Sequence, residues 1–247
     1  MPAHPEIQTP LFREVYPEIV KGSRYYDYAA SVAEVQRRLG RRERPLRILE
    51  VGCGTGRLIV AIAALPEVVA HAVDVDPEMV SATKTIAAAS GRSLHIENAS
   101  ATDYRCVDGG FDAILFHGAA LSTVQTADGR YVVDASSCAE RRAVIEHAVS
   151  SLAAGGSLGI LVESERTLEF DLSGGRRYVR RVLSAENPAR RTHSVYAGEE
   201  LLIRLEIVRE RCPLSVLEGE LRNAGLEPDP SPPTRPFFWS RLCGPRV

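Results

Sequence analysis

A buried strand that runs directly into closely spaced glycines is the feature that most constrains this chain. The run Ile48–Val51 is apolar apart from one acid, and the glycine-rich segment Gly52–Gly56 follows it before a helical pattern begins at Arg57. Glycine adopts positive φ and lacks a Cβ, so such a loop lets a ligand approach the backbone. The first helical turn also has free N–H groups. The pattern predicts a strand–loop–helix unit that binds a ligand.

The spacing of these glycines argues against a dinucleotide cofactor. A nicotinamide or flavin cradle needs G-x-G-x-x-G, in which the glycines allow close approach of a pyrophosphate. Here the pattern is G-x-G-x-G, and Arg57 takes the place of the third glycine of that motif. We therefore expect a ligand other than a dinucleotide.

Strand and helix patterns alternate along most of the chain. Apolar strand patterns occur at 46–51, 69–75, 93–98, 111–117, 157–163 and 237–242. Helical patterns occur between them at 57–65, 77–90, 140–154 and 213–224. Such alternation predicts an α/β fold with a doubly wound, mostly parallel sheet of seven strands, and it places ligands at the carboxyl ends of the strands.

Both flanks depart from this alternation. Residues 1–45 have helical patterns, so we expect them to form a helical lid over a main domain at 46–247. Within the main domain, an insertion at about 166–211 contains three runs rich in Val, Tyr, Ile and Leu, at 176–183, 192–197 and 201–210. Such runs predict antiparallel strands that follow the fifth strand.

Composition excludes several classes of protein. Thirty basic and 32 acidic residues give a net charge of −2, which argues against a general nucleic-acid binder. The longest apolar run, Leu58–Leu65, is far shorter than the ~20 residues of a membrane span. The first ten residues lack a basic, apolar leader, so no secretory signal is visible.

The cysteines indicate a reducing compartment and no metal site. The five of them include no C-x-x-C pair, so neither a disulfide framework nor a zinc ribbon is predicted. We expect free thiols and a cytoplasmic protein.

The glycine loop resembles that of the Rossmann-like, class I methyltransferases that use S-adenosylmethionine. The first motif of that family is much like E-x-G-C-G-T-G, and this chain has it at Glu50–Gly56. The resemblance implies that Gly52, Cys53, Gly54 and Gly56 pack against the cofactor and that Glu50 supports the loop and the amino group of the cofactor. It covers residues 46 to 163 and implies S-adenosylhomocysteine as product.

The run Val73–Met79 matches the next motif of the family. The resemblance implies that Asp74 binds both ribose hydroxyls and that Val75 and Met79 lie beside the adenosine. Asp76 is the alternative ribose-binding residue, but an Asp before Pro and Glu fits a helix N-cap better.

Ser100 and Ala101 occupy the place where the family binds adenine. The family commonly has an Asp where this chain has Ser100, and a neutral hydroxyl is a weaker acceptor than a carboxylate. Asp103 is an alternative acceptor.

The reacting end of the site is predicted at the ends of strands four and five. Methyl transfer requires that the acceptor be aligned with the methyl group and that water be excluded. A hydroxyl acceptor also reacts faster with a general base. His117 is the first candidate for that base, beside the cofactor, and Glu163 is the second. A histidine bonded to backbone is an equally good interpretation of His117. Arg166, Tyr178 and His193 are expected to shape the acceptor pocket.

The flanking segments resemble small-molecule N-methyltransferases, including those that act on amino sugars. In such relatives a tyrosine of the N-terminal segment contacts the cofactor carboxylate; Tyr28 is our first choice and Tyr16 the second. The resemblance implies a small-molecule methyl acceptor, and we allow for a homodimer. A protein that binds the cofactor for another reaction, or an RNA or protein methyltransferase, is the alternative.

Overall fold

The structure is a computed structural model, and it describes residues 10–22, 27–40, 44–116, 121–125, 130–135, 137–164, 167–230 and 237–243. The helices in these ranges are α1 (Pro10–Gly22), α2 (Tyr28–Leu39), α3 (Arg57–Ile62), α4 (Pro77–Ala89), α5 (Cys138–Ser151) and α6 (Leu214–Asn223). The strands are β1 (Leu46–Val51), β2 (Val68–Asp74), β3 (His95–Asn98), β4 (Phe111–Phe116), β5 (Leu121–Gln125), β6 (Tyr131–Ala135), β7 (Leu152–Ser164), β8 (Leu168–Leu172), β9 (Arg176–Ser184), β10 (Ala189–Ala197), β11 (Glu200–Pro213), β12 (Leu226–Pro228) and β13 (Phe237–Leu242).

A parallel array forms one half of the sheet. Strands β3, β2, β1, β4 and β7 lie side by side in that order, and each neighbouring pair is parallel. Strand β13 then pairs antiparallel with β7, and β12 pairs antiparallel with β13. The predicted α/β fold with a mixed sheet is therefore confirmed. Since parallel strands end at one edge, this order brings the ends of β1, β2, β4 and β7 together.

The described sheet contains thirteen strands, not the seven predicted. The reason lies in β7, which pairs with β13 over Ser157–Leu161 and continues to Ser164. Its last residues, 162–164, pair in parallel with β5, and β6, β11, β10, β9 and β8 follow as antiparallel neighbours. Strands β9, β10 and β11 lie where three antiparallel strands were expected. Strands β5, β6 and β8 were not predicted.

Apolar side chains cover both faces of the parallel array. On one face, α5 and α6 pack Val144, Ile145 and Leu217 against the sheet. On the other, α2 and α3 contribute Val35 and Leu58, each with an exposed fraction of 1% or less. Helix α5 ends at Ser151 rather than at residue 154 as predicted, because β7 begins at Leu152.

Helix α1 packs on the extended half of the sheet. Its buried residues Phe12, Val15 and Ile19 follow helical spacing and form one cluster with Leu172, Tyr178 and Val195. We call the face of β8–β11 that packs against α1 the inner face. The N-terminal helices thus attach to different parts of the sheet, and the predicted division into a lid at 1–45 and a main domain stays a prediction.

Candidate functional site

The three glycines of the loop all have positive φ, at 70° for Gly52, 55° for Gly54 and 73° for Gly56. A Cβ on Gly56 would lie 2.4 Å from Cγ2 of Thr83 in α4, so this position needs glycine for packing as well. A Cβ on Gly54 would meet nothing within 4 Å. The space beside Gly54 is therefore open to a ligand.

Asp74 fixes the glycine loop to the end of β2. Its Oδ2 accepts a hydrogen bond from the backbone N–H of Gly54 at 2.8 Å, and its Oδ1 accepts one from Asp76 N–H at 2.9 Å. A carboxylate can accept about four hydrogen bonds, so this type of side chain can also accept from hydroxyl donors of a ligand.

Thr83 holds the same loop from the side of α4. Its Oγ1 donates to the carbonyl oxygen of Gly54 at 2.9 Å, and the sulfur of Cys53 lies 3.6 Å from the same hydroxyl. Sequence analysis missed Thr83, because a threonine inside a helix has no motif that distinguishes it.

Glu50 lies under the loop and is almost fully buried. Only 1% of the residue is exposed, and its Oε2 accepts a hydrogen bond from Ile59 N–H of α3 at 3.0 Å. Burial raises the pKa of Glu50 to about 8, although the bond from Ile59 opposes that rise. A cationic group bound nearby would favour the carboxylate form. The site can therefore couple cation binding to proton release.

Tyr28, at the start of α2, lies close to this carboxyl. Burial raises the pKa of the Tyr28 hydroxyl well above its usual value, and the charge of Glu50 raises it further. The side chain of Asp27 caps α2 by accepting from Ala30 N–H at 2.9 Å. Tyr16 lies elsewhere, on α1, with its ring centroid 6.0 Å from that of Phe12. Of the two tyrosines, Tyr28 is the one beside the loop.

The ends of β2 and β3 form a surface that suits an aromatic ligand. Val75 follows β2 and is 37% exposed, so its apolar side chain is accessible to a ligand. Nδ2 of Asn98 donates to the carbonyl oxygens of Asp74 at 2.8 Å and Val75 at 3.0 Å, so it joins the two strand ends. Asn98 was not predicted as a site residue, although an Asn that closes a strand could have suggested this role.

Met79, Ala101 and Ser100 have mainly structural contacts in the described residues. Met79 is buried with 5% exposed, and Ala101 packs against the apolar core. The hydroxyl oxygen of Ser100 accepts from Thr102 N–H at 3.2 Å and lies 3.0 Å from Thr102 Oγ1. Asp76 caps α4 by accepting from Glu78 N–H at 2.9 Å, as its N-cap interpretation predicts.

The acceptor end of the site is only partly described. His117 and Arg166 lie outside the described residues, so their roles stay predictions. Glu163, near the end of β7, is 5% exposed, and Nη1 of Arg191 in β10 lies 3.7 Å from its Oε2. Arg191 had not been singled out from the sequence, because it occurs in a run with Arg190 that resembles a solvated strand.

Tyr178 and His193 form a buried pair on the inner face. The Tyr178 hydroxyl lies 2.6 Å from Nδ1 of His193, and the imidazole ring centroid is 6.1 Å from the ring of Phe12 in α1. Both residues therefore face the helix that covers this part of the sheet.

Helix α1 is bound by polar contacts to two distant parts of the fold. Arg13 forms ion pairs with Asp76 and Glu78 at the start of α4, the first at 3.4 Å. Glu14 pairs with Arg176 at 2.7 Å, and Glu18 accepts from Ser173 N–H at 2.6 Å. The helix thus connects the inserted strands with the helix that begins beside Asp74.

These residues fit S-adenosylmethionine. The open space at Gly54 would admit the ligand to the backbone, the exposed Val75 would offer an apolar surface to adenine, and the carboxylate of Asp74 beside Gly54 is a suitable acceptor for ribose hydroxyls. No group of three or more His, Cys, Asp or Glu side chains within the described ranges could hold a metal ion. No described helix is both long and apolar enough to cross a membrane.

Comparison with known proteins agrees with this geometry. The family model described as a methyltransferase domain matches residues 48–156. Two solved structures superpose over most of the chain. SAM-bound CalS10, an amino pentose methyltransferase from Micromonospora echinaspora, is 18% identical (TM-score 0.66, covering 93% of this chain and 97% of CalS10). DesVI from Streptomyces venezuelae is 16% identical (TM-score 0.67, covering 94% of this chain and 98% of DesVI). The glycopeptide N-methyltransferase MtfA, complexed with S-adenosyl-L-methionine, is 18% identical (TM-score 0.54, covering 90% and 96%). No curated protein sequence matches significantly.

The fold and the glycine loop are those of class I methyltransferases, and residues 48–156 match the methyltransferase domain. The solved structures with this fold include methyltransferases bound to S-adenosylmethionine.

Proposed function

We propose that this methyltransferase transfers a methyl group to an amine or hydroxyl of a small molecule. The observation that carries the proposal is the position of α1, which ion pairs join to α4 at Asp76 and to β9 at Arg176. A helix held in this way covers the inner face of β8–β11 beside the start of α4, and a covered pocket suits a small ligand and excludes water.

The structural neighbours support an acceptor of this kind. CalS10 is an amino pentose methyltransferase involved in calicheamicin biosynthesis, and MtfA is a glycopeptide N-methyltransferase. By analogy we infer an acceptor from secondary metabolism that carries a sugar or an amine. The five cysteines are all free, which supports our expectation of a cytoplasmic enzyme.

The proposed cofactor site consists of the loop and the strand ends around it. Asp74 would accept from the ribose hydroxyls, Glu50 would support the loop and the amino group, and Tyr28 would reach the carboxylate. The remaining proposed contacts are Gly52, Cys53, Gly54, Gly56, Val75, Met79, Ser100, Ala101 and His117. When bound, S-adenosylmethionine supplies an activated methyl group for in-line attack by the acceptor.

At the acceptor end, the protein must orient a lone pair of the acceptor's nitrogen or oxygen toward the methyl group and receive the proton that this atom loses. Glu163 is the described candidate, and Oε1 or Oε2 would take the proton released by the amine or hydroxyl. Arg191 holds this carboxylate in place from β10, at 3.7 Å. His117, the first candidate from the sequence, lies outside the described residues and would take the same proton.

A methyl-transfer screen tests the proposal. The protein is incubated with S-adenosylmethionine and panels of amines, phenols, sugars, tRNA and DNA, and S-adenosylhomocysteine formation is measured. We expect turnover on small acceptors. Robust turnover on tRNA or DNA, with none on small acceptors, would contradict the proposal.

Substitution at Glu163 tests its role once an acceptor is found. For a hydroxyl acceptor, Glu163→Gln should lower kcat by roughly 100-fold or more, as expected for loss of a general base. Glu206→Gln is the matched control, since Glu206 lies on β11 and pairs with Arg190. Equal activity of both variants would exclude Glu163 as the base.

A further inference from the structure

We propose that Arg57, the residue directly after the glycine loop, binds the carboxylate of S-adenosylmethionine through its guanidinium group. Arg57 stands where a dinucleotide motif would have its third glycine. The residue that argues against a pyrophosphate thus brings a positive charge to the loop. The inference rests on the proposed cofactor site, because it adds a residue to the part that holds the amino-acid end of the cofactor.

Arg57 is the first residue of α3 and lies close to Tyr28. Burial raises the pKa of Tyr28 and the negative charge of Glu50 raises it further, whereas the positive charge of Arg57 lowers it. Glu50 in turn accepts a hydrogen bond from the N–H of Ile59, two residues after Arg57. The three side chains therefore meet where α2, β1 and α3 come together beside the loop.

The guanidinium group of Arg57 is partly withdrawn from water. The residue is half-buried, and its Nε is buried. Within the described ranges, this Nε has no hydrogen-bond partner, and no carboxylate forms an ion pair with Arg57. A buried donor without a partner has lost its bonds to water and gained nothing in return, which is unfavourable. A ligand that accepts from this group would remove that penalty.

Two other arginines of the described chain show the usual arrangement. Arg141 is buried on α5 and pairs with Glu220 of α6 at 2.6 Å. Arg38 is half-buried on α2 and pairs with Asp229 at 3.0 Å. Since Arg57 has no such partner among the described residues, its charge is available to an anionic group of a ligand.

The chemistry of S-adenosylmethionine supplies an anionic group in the right place. Its amino-acid end carries an ammonium group and a carboxylate on the same carbon atom. If Glu50 supports the ammonium group, the partners of the carboxylate must lie beside Glu50, and both Tyr28 and Arg57 do. A guanidinium group presents a planar pair of donors that matches a carboxylate.

Tyr28 alone would be a weak partner for this carboxylate. Because its pKa is raised, the Tyr28 hydroxyl stays protonated and can donate one hydrogen bond, but it carries no charge. Glu50 and Asp74 place two carboxyl groups at the same loop, and Asp74 raises the pKa of Glu50 by repulsion. The positive charge of Arg57 would offset their repulsion of the ligand carboxylate.

Calorimetry with S-adenosylmethionine and decarboxylated S-adenosylmethionine tests the assignment, because the two ligands differ only in the carboxylate. Arg57→Gln should weaken binding of S-adenosylmethionine at least tenfold and change binding of the decarboxylated ligand less than twofold. Arg92→Gln is the matched control and should leave both affinities unchanged, because Arg92 is exposed beyond the end of α4. An equal loss for both ligands in Arg57→Gln, or no loss for either, would overturn the proposal.

Arg57→Lys provides a second variant that keeps the charge but lacks the planar pair of donors. It should bind S-adenosylmethionine more tightly than Arg57→Gln and less tightly than the wild type. Thermal unfolding shows whether each variant is folded. If Arg57→Gln does not fold, Arg57→Lys decides: a selective loss of affinity for the ligand with the carboxylate supports the proposal, and equal effects on both ligands overturn it.

Binding by the wild-type protein separates this proposal from the cofactor site on which it rests. If the wild type binds S-adenosylmethionine and Arg57→Gln binds it equally well, Arg57 is misassigned and the cofactor site stands. If the wild type binds neither S-adenosylmethionine nor S-adenosylhomocysteine, the cofactor site itself is wrong, and the role of Arg57 is wrong with it.

Discussion

The Asp74 carboxylate and the backbone N–H of Gly54 are joined by a hydrogen bond of 2.8 Å. The second oxygen of the same carboxylate is bonded to Asp76 N–H. The residue proposed to bind ribose therefore also shapes the loop against which the ligand lies. Removal of its side chain should affect the site twice, through a lost ligand contact and through a looser loop.

Asp74→Ala should weaken S-adenosylmethionine binding by roughly 1–3 kcal/mol, the usual range for hydrogen bonds to a charged group. Calorimetry with S-adenosylmethionine, S-adenosylhomocysteine and NADH measures this, and the wild-type protein should bind only the first two. Asp108→Ala is the control, because Asp108 is exposed and has no place in the proposed site. A loss in Asp108→Ala as large as that in Asp74→Ala would contradict a ligand contact at Asp74.

Glu50→Gln should stabilise the ligand-free protein at alkaline pH. The folded-state pKa of Glu50 is raised to about 8, so ionisation of Glu50 increasingly disfavours folding as pH rises from the ordinary carboxyl range toward 8. The variant lacks this penalty, and its gain in Tm should grow between pH 5 and 8 and then level off. A gain in Tm that does not depend on pH would show that Glu50 does not titrate in this range.

The same variant should bind S-adenosylmethionine less tightly. A cation beside Glu50 favours the carboxylate, so wild-type binding should release protons at pH 7, whereas Glu50→Gln should not. Calorimetry in buffers of different ionisation enthalpy measures the released protons.

Tyr28→Phe should weaken S-adenosylmethionine binding by about 1 kcal/mol, the contribution of one hydrogen bond. Tyr16→Phe is the matched comparison, because Tyr16 is the second choice from the sequence and packs on α1 beside Phe12. If Tyr16→Phe has the larger effect, the tyrosine that contacts the cofactor has been misassigned.

Ser100→Asp should preserve or tighten S-adenosylmethionine binding, because a carboxylate accepts a stronger hydrogen bond than a hydroxyl. Ser100→Ala should cost at most about 1 kcal/mol of binding, since the hydroxyl already accepts from Thr102 N–H. A hundredfold loss in Ser100→Asp would show that adenine is held differently.

Arg13→Gln should weaken the attachment of α1 to the start of α4. This change removes the ion pairs of α1 with Asp76 and Glu78, and proteolytic cleavage within the N-terminal segment should become several times faster. Arg37→Gln is the control, because Arg37 pairs with Glu34 within α2. Addition of S-adenosylhomocysteine should slow cleavage of the wild-type protein.

The sequence predicted the parallel array well because its signals are local. A glycine loop after a buried strand, and an Asp-Pro-Glu start for α4, depend on neighbouring residues only, and both occur where expected. Strand β5, with the sequence LSTVQ, lacks such a signal, since three of its five residues are polar and the strand is nonetheless almost fully buried. Only its pairing with the end of β7 explains its conformation.

In the candidate site, the residues that belong to local motifs were predictable and the others were not. Glu50 and Asp74 belong to motifs, and the structure brings them to one loop. Thr83, Asn98 and Arg191 contribute through contacts between elements distant in sequence, which no local pattern reports.

Strand β7 joins two parts of the sheet. Its residues up to Leu161 belong to the parallel array that contains the glycine loop, and its next three residues pair with β5, beside which the antiparallel strands continue. Replacement of the strands after β7 would leave the glycine loop intact. Chimaeras in which residues 168–213, which form β8–β11, come from a structural neighbour should keep the affinity for S-adenosylmethionine and take on the donor's choice of acceptor.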